Sequence, residues 1–387
     1  MGAETGRAWV YLDYAATSAV RPGAVADAVA DYLAGIGATP GRGGHRLAVE
    51  AGRIALRCRL ALARLFGIPG DPGRITFTAN ATHALNTAVW GVLRPGDVVV
   101  TTAYDHNAVL RPVHALERER GVVVRMIPGA PDGSVDLDQA ARLLDGARLL
   151  VVNAASNVLG TTLPVGDLCR LAHEAGALAL VDAAQTAGHV SMDVAADGVD
   201  LLAFTGHKGL LGPQGTGGLW VRDGVDVEPL LRGGTGGDSL LRSMPDAYPD
   251  HLEAGTMNGP GIAGLLAGVE WVLGQTPEAI HRHVAGLKAR LRDGLEAVRG
   301  VRVHSPPAPD GVGVVTITAD GVDAPTLARR LDVEHGILVR AGLHCAPEVH
   351  RLLGTDRSGA VRFSLGWAST AEEVDRAVEA VANVLRA

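Results

Sequence analysis

Short apolar runs alternate with amphipathic segments of helical period between residues 74 and 222. The runs are RITFT (74–78), DVVVTTA (97–103), GVVVRMI (121–127), ARLLVVNAA (147–155), ALALVD (177–182), VDLLAFT (199–205) and TGGLWVR (216–222). Helical patterns cover 81–93, 107–121 and 165–176 between them. Almost continuous apolar strands separated by helices are typical of a sheet that is buried on both faces. The pattern therefore predicts an α/β fold with a mostly parallel sheet.

The pattern changes after residue 222. Residues 223–260 are rich in Gly, Pro and Asp, and helical period returns at about 261. A long segment of this kind inside a folded chain is typical of a functional loop or an interface. Its stretch RGGTGGDS (232–239) lacks the strand-then-helix context of a phosphate loop, so we expect a flexible interface loop. A helix at 276–298 and four short strand patterns then predict a smaller α+β domain.

Composition narrows the class of protein. A chain of 387 residues with 47% hydrophobic and 20% charged residues is of ordinary globular type and long enough for two domains. Its net charge of −7 gives no electrostatic case for binding nucleic acid or an anionic membrane. The densest arginine group lies on one helical pattern, where we expect a solvated face: Arg53, Arg57, Arg59 and Arg64.

The first 20 residues do not have the pattern of a secretory signal, and no apolar run is long enough to span a membrane. Three cysteines without a CxxC pair favour free thiols in a reducing cytoplasm. We expect Cys58 and Cys169, which lie in helical patterns, to be packing residues.

Lysine is almost absent from the chain, which has 33 arginines and only Lys208 and Lys288. Lys288 lies on an amphipathic helical pattern, and we expect it to be an ordinary surface lysine. Lys208 follows the run VDLLAFT and so lies at the carboxyl end of a strand, where open α/β sheets bind ligands. Arginine cannot form an imine with an aldehyde, whereas an amine can. Lys208 is therefore a candidate for covalent catalysis.

Other residues at the same predicted edge fit a phosphorylated heterocycle. Asp182 ends the run ALALVD, where its carboxylate would bind a protonated ring nitrogen. A strand, a turn and a helix start follow one another in FTANATHALN, and the N–H groups of Ala81 and Thr82 there suit a dianion. Thr205 and His207 flank the lysine and would add donors. Together these residues predict a site for pyridoxal 5'-phosphate.

Cys345 lies among polar and turn-forming residues in VRAGLHCAPEVH. A lone cysteine is usually a small buried apolar residue, but nearby positive charge would favour a reactive thiolate. The neighbouring His344 and His350 raise the alternative of a metal site. No fourth ligand has a regular spacing, so we predict no metal.

These motifs resemble those of the class V aminotransferase family, whose members are fold-type I pyridoxal-phosphate enzymes. More narrowly, the chain resembles the group II cysteine desulfurases and selenocysteine lyases. The resemblance runs from YLDYAATS (11–18) to VRFSLGWAST (361–370) and includes SNVLGT, VDAAQTAGH, TGHKGLLGPQGTGGL, LEAGTMN and RAGLHCAP. It implies a seven-stranded sheet in a large domain (21–262), a small C-terminal domain (263–387) and an N-terminal segment (1–20) packed on the small domain.

The resemblance also implies a set of site residues. The cofactor would be bound by Ala81, Thr82, His106, Asn157, Asp182, Gln185, Thr205, His207, Lys208 and Thr256. Lys208 would carry the cofactor as an imine, His106 would stack on its ring, and Gln185 would lie near its phenolic oxygen. Thr256 would reach the phosphate of the partner subunit in a homodimer.

For the substrate, the resemblance implies that Asn157 and Arg362 bind a carboxylate. Arg340 and His344 would line the pocket around Cys345, which would accept sulfur as the nucleophile. Arg42, in TPGRGGH, is a further candidate for the substrate side. The sequence departs from better-known members in having NAT at the phosphate turn, Asn107 after His106 and Leu343 near the cysteine.

The predicted reaction is the conversion of L-cysteine to L-alanine, with sulfur passed as a persulfide on Cys345 to an acceptor, which could be a protein. Three alternatives keep the fold: a C–S or C–Se lyase acting by β-elimination, a transaminase, and a non-catalytic sulfur-transfer scaffold. A nucleotide-binding protein using the Gly-rich loops is a fourth alternative from a different class.

Overall fold

The fold follows from a computed structural model that describes residues 9–41, 43–237, 240–307, 309 and 311–386. Its strands in chain order are β1 (Val10–Tyr11), β2 (Ile75–Thr78), β3 (Val98–Thr102), β4 (Val123–Ile127), β5 (Leu149–Asn153), β6 (Leu178–Asp182), β7 (Leu201–Thr205), β8 (Gly217–Val221), β9 (Val301–Val303), β10 (Val314–Ala319), β11 (Ile337–Leu338), β12 (Arg340–Gly342) and β13 (Ala360–Ser364). Every strand expected between residues 74 and 222 is present, shorter by one to four residues than its apolar run.

Eleven α-helices lie in the described part of the chain. They are α1 (Gly23–Asp31), α2 (Arg46–Phe66), α3 (Ala81–Val92), α4 (Asn107–Arg120), α5 (Leu137–Leu144), α6 (Val165–Glu174), α7 (Gly259–Gln275), α8 (Pro277–Glu296), α9 (Ala324–His335), α10 (Pro347–Leu353) and α11 (Ala371–Arg386). Polar side chains cap several of them: Asn80 accepts from the His83 N–H at the start of α3, and Asp323 accepts from the Thr326 N–H at the start of α9.

The central sheet has seven strands in the order β2-β8-β7-β6-β5-β3-β4. Strands β7, β6, β5, β3 and β4 pair in parallel, and β8 runs antiparallel to both of its neighbours. Alternate residues of these strands face opposite sides. Leu180 packs with α3 and α4 on one face, whereas Val181 packs with α2, α6 and α7 on the other. Burial of both faces explains why these strands read as continuous apolar runs.

A second, four-stranded antiparallel sheet has the order β12-β13-β10-β9 and packs against α8 and α9, and α11 packs on these two helices. Strand β1 pairs in parallel with β11, so the described part of the N-terminal segment lies against this region. The expected boundary at 262 falls inside α7. The division at 20 and 262 stays a prediction.

The Gly-rich region has no strand or helix in its described residues between 223 and 258. Residues 238 and 239 of RGGTGGDS lie outside the described residues. The remaining residues of that stretch line an open groove with Arg242 and His251. Its flexibility and its role as an interface stay predictions.

Two expectations about basic residues are wrong. Arg59 is buried, because its guanidinium bonds both carboxylate oxygens of Glu253 at 2.7 and 2.9 Å and also donates to the carbonyl oxygen of Ile75. Lys288 is also buried, and its Nζ donates to the carbonyl oxygen of Gly160 at 3.0 Å. Both residues lie on helices with a polar pattern, and their partners come from distant parts of the chain.

Cys58 and Cys169 are fully buried in the apolar core, as expected of packing residues. All three cysteines are free thiols. Among the described residues, no helix combines the length and apolarity needed to cross a membrane.

Candidate active site

The carboxyl ends of three neighbouring parallel strands form the floor of a pocket. Asn153 ends β5, Asp182 ends β6 and Thr205 ends β7, with Asn153 directly opposite Asp182 in the ladder. The start of α3 faces the same pocket through Asn80, Ala81 and Thr82. This is the sheet edge at which the sequence predicted the site.

Lys208 lies in this pocket, three residues beyond the end of β7. Desolvation lowers the pKa of its amine to about 8, and the charges of Arg362 and Arg340 act in the same direction. Asp182 opposes this shift. An amine with this pKa is neutral in about a tenth of the molecules at pH 7, far more than an ordinary lysine, and only the neutral form attacks an aldehyde or accepts a proton.

The turn that carries Lys208 is held by the N-terminal segment. The Ser18 hydroxyl donates to the Lys208 carbonyl oxygen at 2.8 Å, and the Ser18 N–H donates to the His207 carbonyl oxygen. Gly209 follows the lysine because a Cβ there would collide with the Ala187 carbonyl oxygen. The backbone around the amine is therefore fixed from two sides.

Asp182 is buried, and burial raises the pKa of its carboxyl, with Lys208 acting in the opposite direction. One of its oxygens accepts the Ala184 N–H at 2.9 Å. A buried carboxylate at a strand end gains a favourable interaction from any cation placed beside it. The position suits a protonated ring nitrogen.

His106 lies on another side of the pocket as the N-cap of α4, where its Nδ1 accepts the Ala108 N–H at 3.0 Å. Burial and the charge of Lys208 lower the pKa of its imidazole to about 4, so the ring is neutral. With Nδ1 accepting, the proton of the neutral ring lies on Nε2. His106 therefore presents a flat, uncharged ring with a fixed tautomer.

A second loop meets the pocket at Asn157. The Asn157 side-chain amide donates to the His344 carbonyl oxygen at 2.7 Å, and the Asn107 N–H donates to the Cys345 carbonyl oxygen at 2.7 Å. The Asn107 bond anchors the loop that carries Cys345 to the start of α4, and the Asn157 bond anchors it to the loop after β5. Cys345 itself is partly exposed.

Arg362 lies next to Asn157 but, like Arg340, His344 and Cys345, is not among the residues that line the Lys208 pocket. Its Nη1 donates to the Asn157 carbonyl oxygen at 3.1 Å, while its buried Nε has no hydrogen-bond partner. In the ladder between β12 and β13, Arg362 lies directly opposite Arg340. Burial and the charge of Arg340 both lower the pKa of Arg362. Two guanidinium groups at one point form a strong anion-attracting region.

A family model described as aminotransferase class-V matches residues 10–377. The chain belongs to the class V aminotransferase family. Two curated relatives are both named probable cysteine desulfurase. The protein of Methanothermobacter thermautotrophicus is 36% identical over 94% of this chain and 92% of its own length. That of Halobacterium salinarum is 38% identical over 96% of this chain and 90% of its own length.

Solved structures agree with this assignment. An apo cysteine desulfurase of Thermococcus onnurineus superposes with a TM-score of 0.89 at 33% identity, covering 98% of this chain and 95% of that one. A cysteine desulfurase of Escherichia coli gives a TM-score of 0.87 at 29% identity, with coverage of 98% and 95%. The class V chain thus has the fold-type I architecture of these proteins, and the α/β prediction with a mostly parallel seven-stranded sheet is confirmed.

The class V site brings most of the predicted residues together. Nine of the ten predicted cofactor-binding residues line the pocket: Ala81, Thr82, His106, Asn157, Asp182, Gln185, Thr205, His207 and Lys208. The tenth, Thr256, lines a neighbouring groove with Thr78, Ala79 and His83 and does not line the Lys208 pocket. Arg42 lies outside the described residues. The roles of all these residues stay predictions.

Sequence reasoning missed two buried groups, Asn153 in the floor of the pocket and Asp105, which bonds to it. Asp105 precedes His106 and accepts the Thr102 N–H at 2.6 Å and the Asn153 N–H at 3.0 Å. Burial raises the pKa of its carboxyl to about 8. Asn153 bonds the carbonyl oxygens of Tyr104 and Ala155 through its side-chain amide. Their only sequence signal is a polar residue at or just beyond a strand end, as for Asp182.

Proposed function

We propose that this class V protein is a pyridoxal-phosphate-dependent cysteine desulfurase, which converts L-cysteine to L-alanine and carries the sulfur as a persulfide on Cys345. One observation carries the proposal: a partly neutral amine lies in a polar pocket, and the thiol-bearing loop is hydrogen-bonded to Asn157, which lines the same pocket. The names of the relatives support the same activity. In fold class, it is a fold-type I enzyme.

The pocket fits the cofactor on independent grounds. The hydroxyl of Thr205 is buried without a hydrogen-bond partner and lies beside the start of α3, where the phosphate is expected. Asn80 already caps the His83 N–H, so the first N–H groups of the helix remain for an anion. At the opposite side, the Asp182 carboxylate suits a cationic ring nitrogen. The donor set thus matches a phosphorylated pyridine aldehyde.

When bound, pyridoxal phosphate supplies an electron-withdrawing ring that stabilises negative charge at the substrate α-carbon. Asp182 would hold the protonated ring nitrogen, and His106 would cover the ring with its uncharged imidazole. Lys208 would act as the base that removes the α-proton of the substrate. Its lowered pKa makes it an effective base near neutral pH.

The cysteine loop supplies the second nucleophile. The Cys345 thiolate attacks the substrate sulfur, an S–S bond forms and the substrate C–S bond breaks. The electron pair of that bond stays on the β-carbon, which takes up one proton. The α-carbon regains the proton that Lys208 would have removed, and the product leaves as alanine. Arg362 and Asn157 would hold the substrate carboxylate, with Arg340 and His344 beside the thiol.

Finer features belong to the same proposal. The motif RAGLHCAP supports a group II desulfurase, and Thr256 on an open groove supports a homodimer with a shared phosphate site. Leu343 is 40% exposed next to the partly exposed thiol, which supports an acceptor protein docking there. Arg42 stays a candidate for the substrate side. Three free thiols support a cytoplasmic location.

Product analysis with L-cysteine tests the proposal. We expect alanine, together with a persulfide located by mass spectrometry on the Cys345 peptide. The Cys345→Ala variant should lose alanine formation and retain the visible absorbance of the bound cofactor. Pyruvate in place of alanine would instead indicate β-elimination. Amino transfer to a keto acid in the Cys345→Ala variant would indicate a transaminase, and failure to bind the cofactor would indicate a scaffold.

A further inference from the structure

A chain of hydrogen bonds leads from the cysteine loop into the protein interior. His344 Nε2 lies 3.2 Å from the Arg340 carbonyl oxygen, and His344 Nδ1 lies 3.1 Å from His350 Nε2. His350 Nδ1 lies 2.7 Å from the Thr355 hydroxyl. His344, His350 and Thr355 are 3%, 0% and 4% exposed, so water cannot replace these hydrogen bonds.

The hydrogen bonds that link Arg340, His344, His350 and Thr355 have a fixed direction. Burial lowers the pKa of His344 to about 3 and that of His350 to about 4, so each ring is neutral and carries one hydrogen. A carbonyl oxygen can only accept, so the hydrogen of His344 lies on Nε2. His344 Nδ1 then accepts from His350 Nε2–H, and His350 Nδ1 accepts from the Thr355 hydroxyl.

That arrangement is the one that satisfies every contact with neutral rings. The Thr355 hydroxyl has a competing contact with the His350 carbonyl oxygen, which at 3.4 Å is much longer. The charged groups near the His344 ring are Arg340 and Arg362. The titratable groups near the His350 ring are Asp356 and His304.

His344, at one end of these hydrogen bonds, lies in a strained part of the backbone. His344 and Cys345 have φ values of +50° and +57°, a conformation that non-glycine residues rarely adopt. Each such residue is strained and persists only where its surroundings hold it. Asn157 and Asn107 bond the carbonyl groups of these two residues. The imidazole of His344 is the third anchor, and it depends on His350 and Thr355.

We propose that His350 and Thr355 are positioning residues that act through His344 to hold Cys345 in its left-handed conformation. The catalytic importance of this role rests on the proposed function, but the positioning itself does not. Nothing in the resemblance or in the relatives' names assigns a role to either residue. Sequence reasoning had weighed His350 only as a metal ligand, whereas both of its ring nitrogens are engaged in this chain.

Amide hydrogen exchange of the holoenzyme tests the positioning directly. Thr355→Val removes the hydroxyl with little change in volume, and Thr355→Ser retains it. We expect exchange in the peptide spanning residues 340–347 to accelerate at least about tenfold in the Val variant and to stay near wild type in the Ser variant. His350→Leu should behave like Thr355→Val. His350→Gln, whose amide can still donate to His344, should have a smaller effect.

A matched control separates positioning from general loss of stability. Thr76 is also buried and donates its hydroxyl to a carbonyl oxygen, that of Leu219, at 3.1 Å. Thr76→Val makes the same chemical change away from the cysteine loop. It should leave exchange in residues 340–347 unchanged. Unchanged exchange of this peptide in Thr355→Val would overturn the proposal, whatever reaction the enzyme catalyses.

Kinetics with L-cysteine then connects the position to sulfur transfer. Because a small misplacement of a nucleophile is costly, we expect kcat to fall between about tenfold and a hundredfold in Thr355→Val, with KM nearly constant. Thr355→Ser should restore kcat. A kcat unaffected by faster loop exchange would overturn the catalytic part of the proposal. Alanine formation that survives Cys345→Ala would instead overturn the proposed function and leave the positioning intact.

Discussion

Arg362 and Asp13, which lie 349 positions apart in sequence, form an ion pair in which Nη2 lies 2.8 Å from Oδ1. The Arg362 side chain is 2% exposed and that of Asp13 22% exposed. The carboxylate of Asp13 therefore already occupies one arm of the guanidinium that is proposed to bind the substrate. A substrate carboxylate would have to share Arg362 with Asp13 or displace it, and the unpartnered Nε offers a further donor.

Replacing Arg362 tests this assignment. Arg362→Lys keeps the positive charge but loses the planar fork that can bind two carboxylates at once. We expect KM for L-cysteine to rise about tenfold to a hundredfold, which matches the loss of a charge-assisted bond worth about 1.5–3 kcal/mol. Inhibition by cysteamine, which lacks the carboxylate, should change much less. Equal effects on both ligands would contradict carboxylate binding by Arg362.

The location of the cofactor can be tested cleanly because the chain has two lysines. Borohydride reduction of the holoenzyme should fix pyridoxal phosphate on the peptide that contains Lys208. The peptide with Lys288 should remain unlabelled, because that amine is buried against the Gly160 carbonyl oxygen. Lys208→Arg should remove the label and lower alanine formation by about 10²–10⁴-fold, as expected when a catalytic base is lost. A label that persists in Lys208→Arg would refute the site.

The lowered pKa of Lys208 predicts a pH dependence for attachment of the cofactor. Imine formation requires the neutral amine, whose fraction rises about tenfold per pH unit below the pKa and levels off above it. With a pKa of about 8, the attachment rate should rise with pH and bend near pH 8. A free lysine would bend near about 10.4. Stopped-flow absorbance after mixing apo-protein with pyridoxal phosphate measures this rate. A Lys208→Arg sample corrects for reaction elsewhere, and a bend near pH 10 would contradict the lowered pKa.

Residues at strand ends could be predicted from the sequence because strand position alone places them. Asp182 and Thr205 close two apolar runs, and Lys208 follows one of them, so parallel pairing brings all three to one edge. No side-chain detail was needed for this step. The strand, turn and helix pattern of FTANATHALN also predicts the start of α3, whose residues Ala81 and Thr82 line the pocket.

Residues whose role depends on distant partners could not be predicted in this way. The approach of Asp13 to Arg362 depends on the pairing of β1 with β11 and on the bridge between Asp13 and Ser364. Lys288 reads as a surface lysine because helical period does not reveal that its face meets the turn containing Gly160, 128 positions away. The left-handed conformation of His344 and Cys345 likewise has no signal in residues that usually avoid it.

Arg59 shows the same limit, and its partner allows a test of stability. Helical pattern placed Arg59 on a solvated face, but its side chain and that of Glu253 are only 8% and 6% exposed. Glu253 Oε1 also accepts the Phe77 N–H at 2.6 Å, so the pair joins α2 to β2 and to the Gly-rich region. Burial raises the pKa of the Glu253 carboxyl, and Arg59 opposes that shift.

Arg59→Met should therefore leave a buried carboxylate without its cation and lower the free energy of unfolding by about 3–5 kcal/mol. Because burial holds the folded pKa of Glu253 above its unfolded value of about 4.3, this carboxyl favours folding below that pH and the benefit is lost as pH rises. The loss of unfolding free energy in Arg59→Met should therefore shrink in mildly acidic buffer.

Arg57→Met is the matched control, because the Arg57–Glu270 pair is 61% and 49% exposed. Loss of this exposed pair should lower the free energy of unfolding by at most about 1 kcal/mol. Denaturant unfolding of both variants measures these differences. Equal losses of unfolding free energy in the two variants would contradict the stronger role assigned to the buried pair.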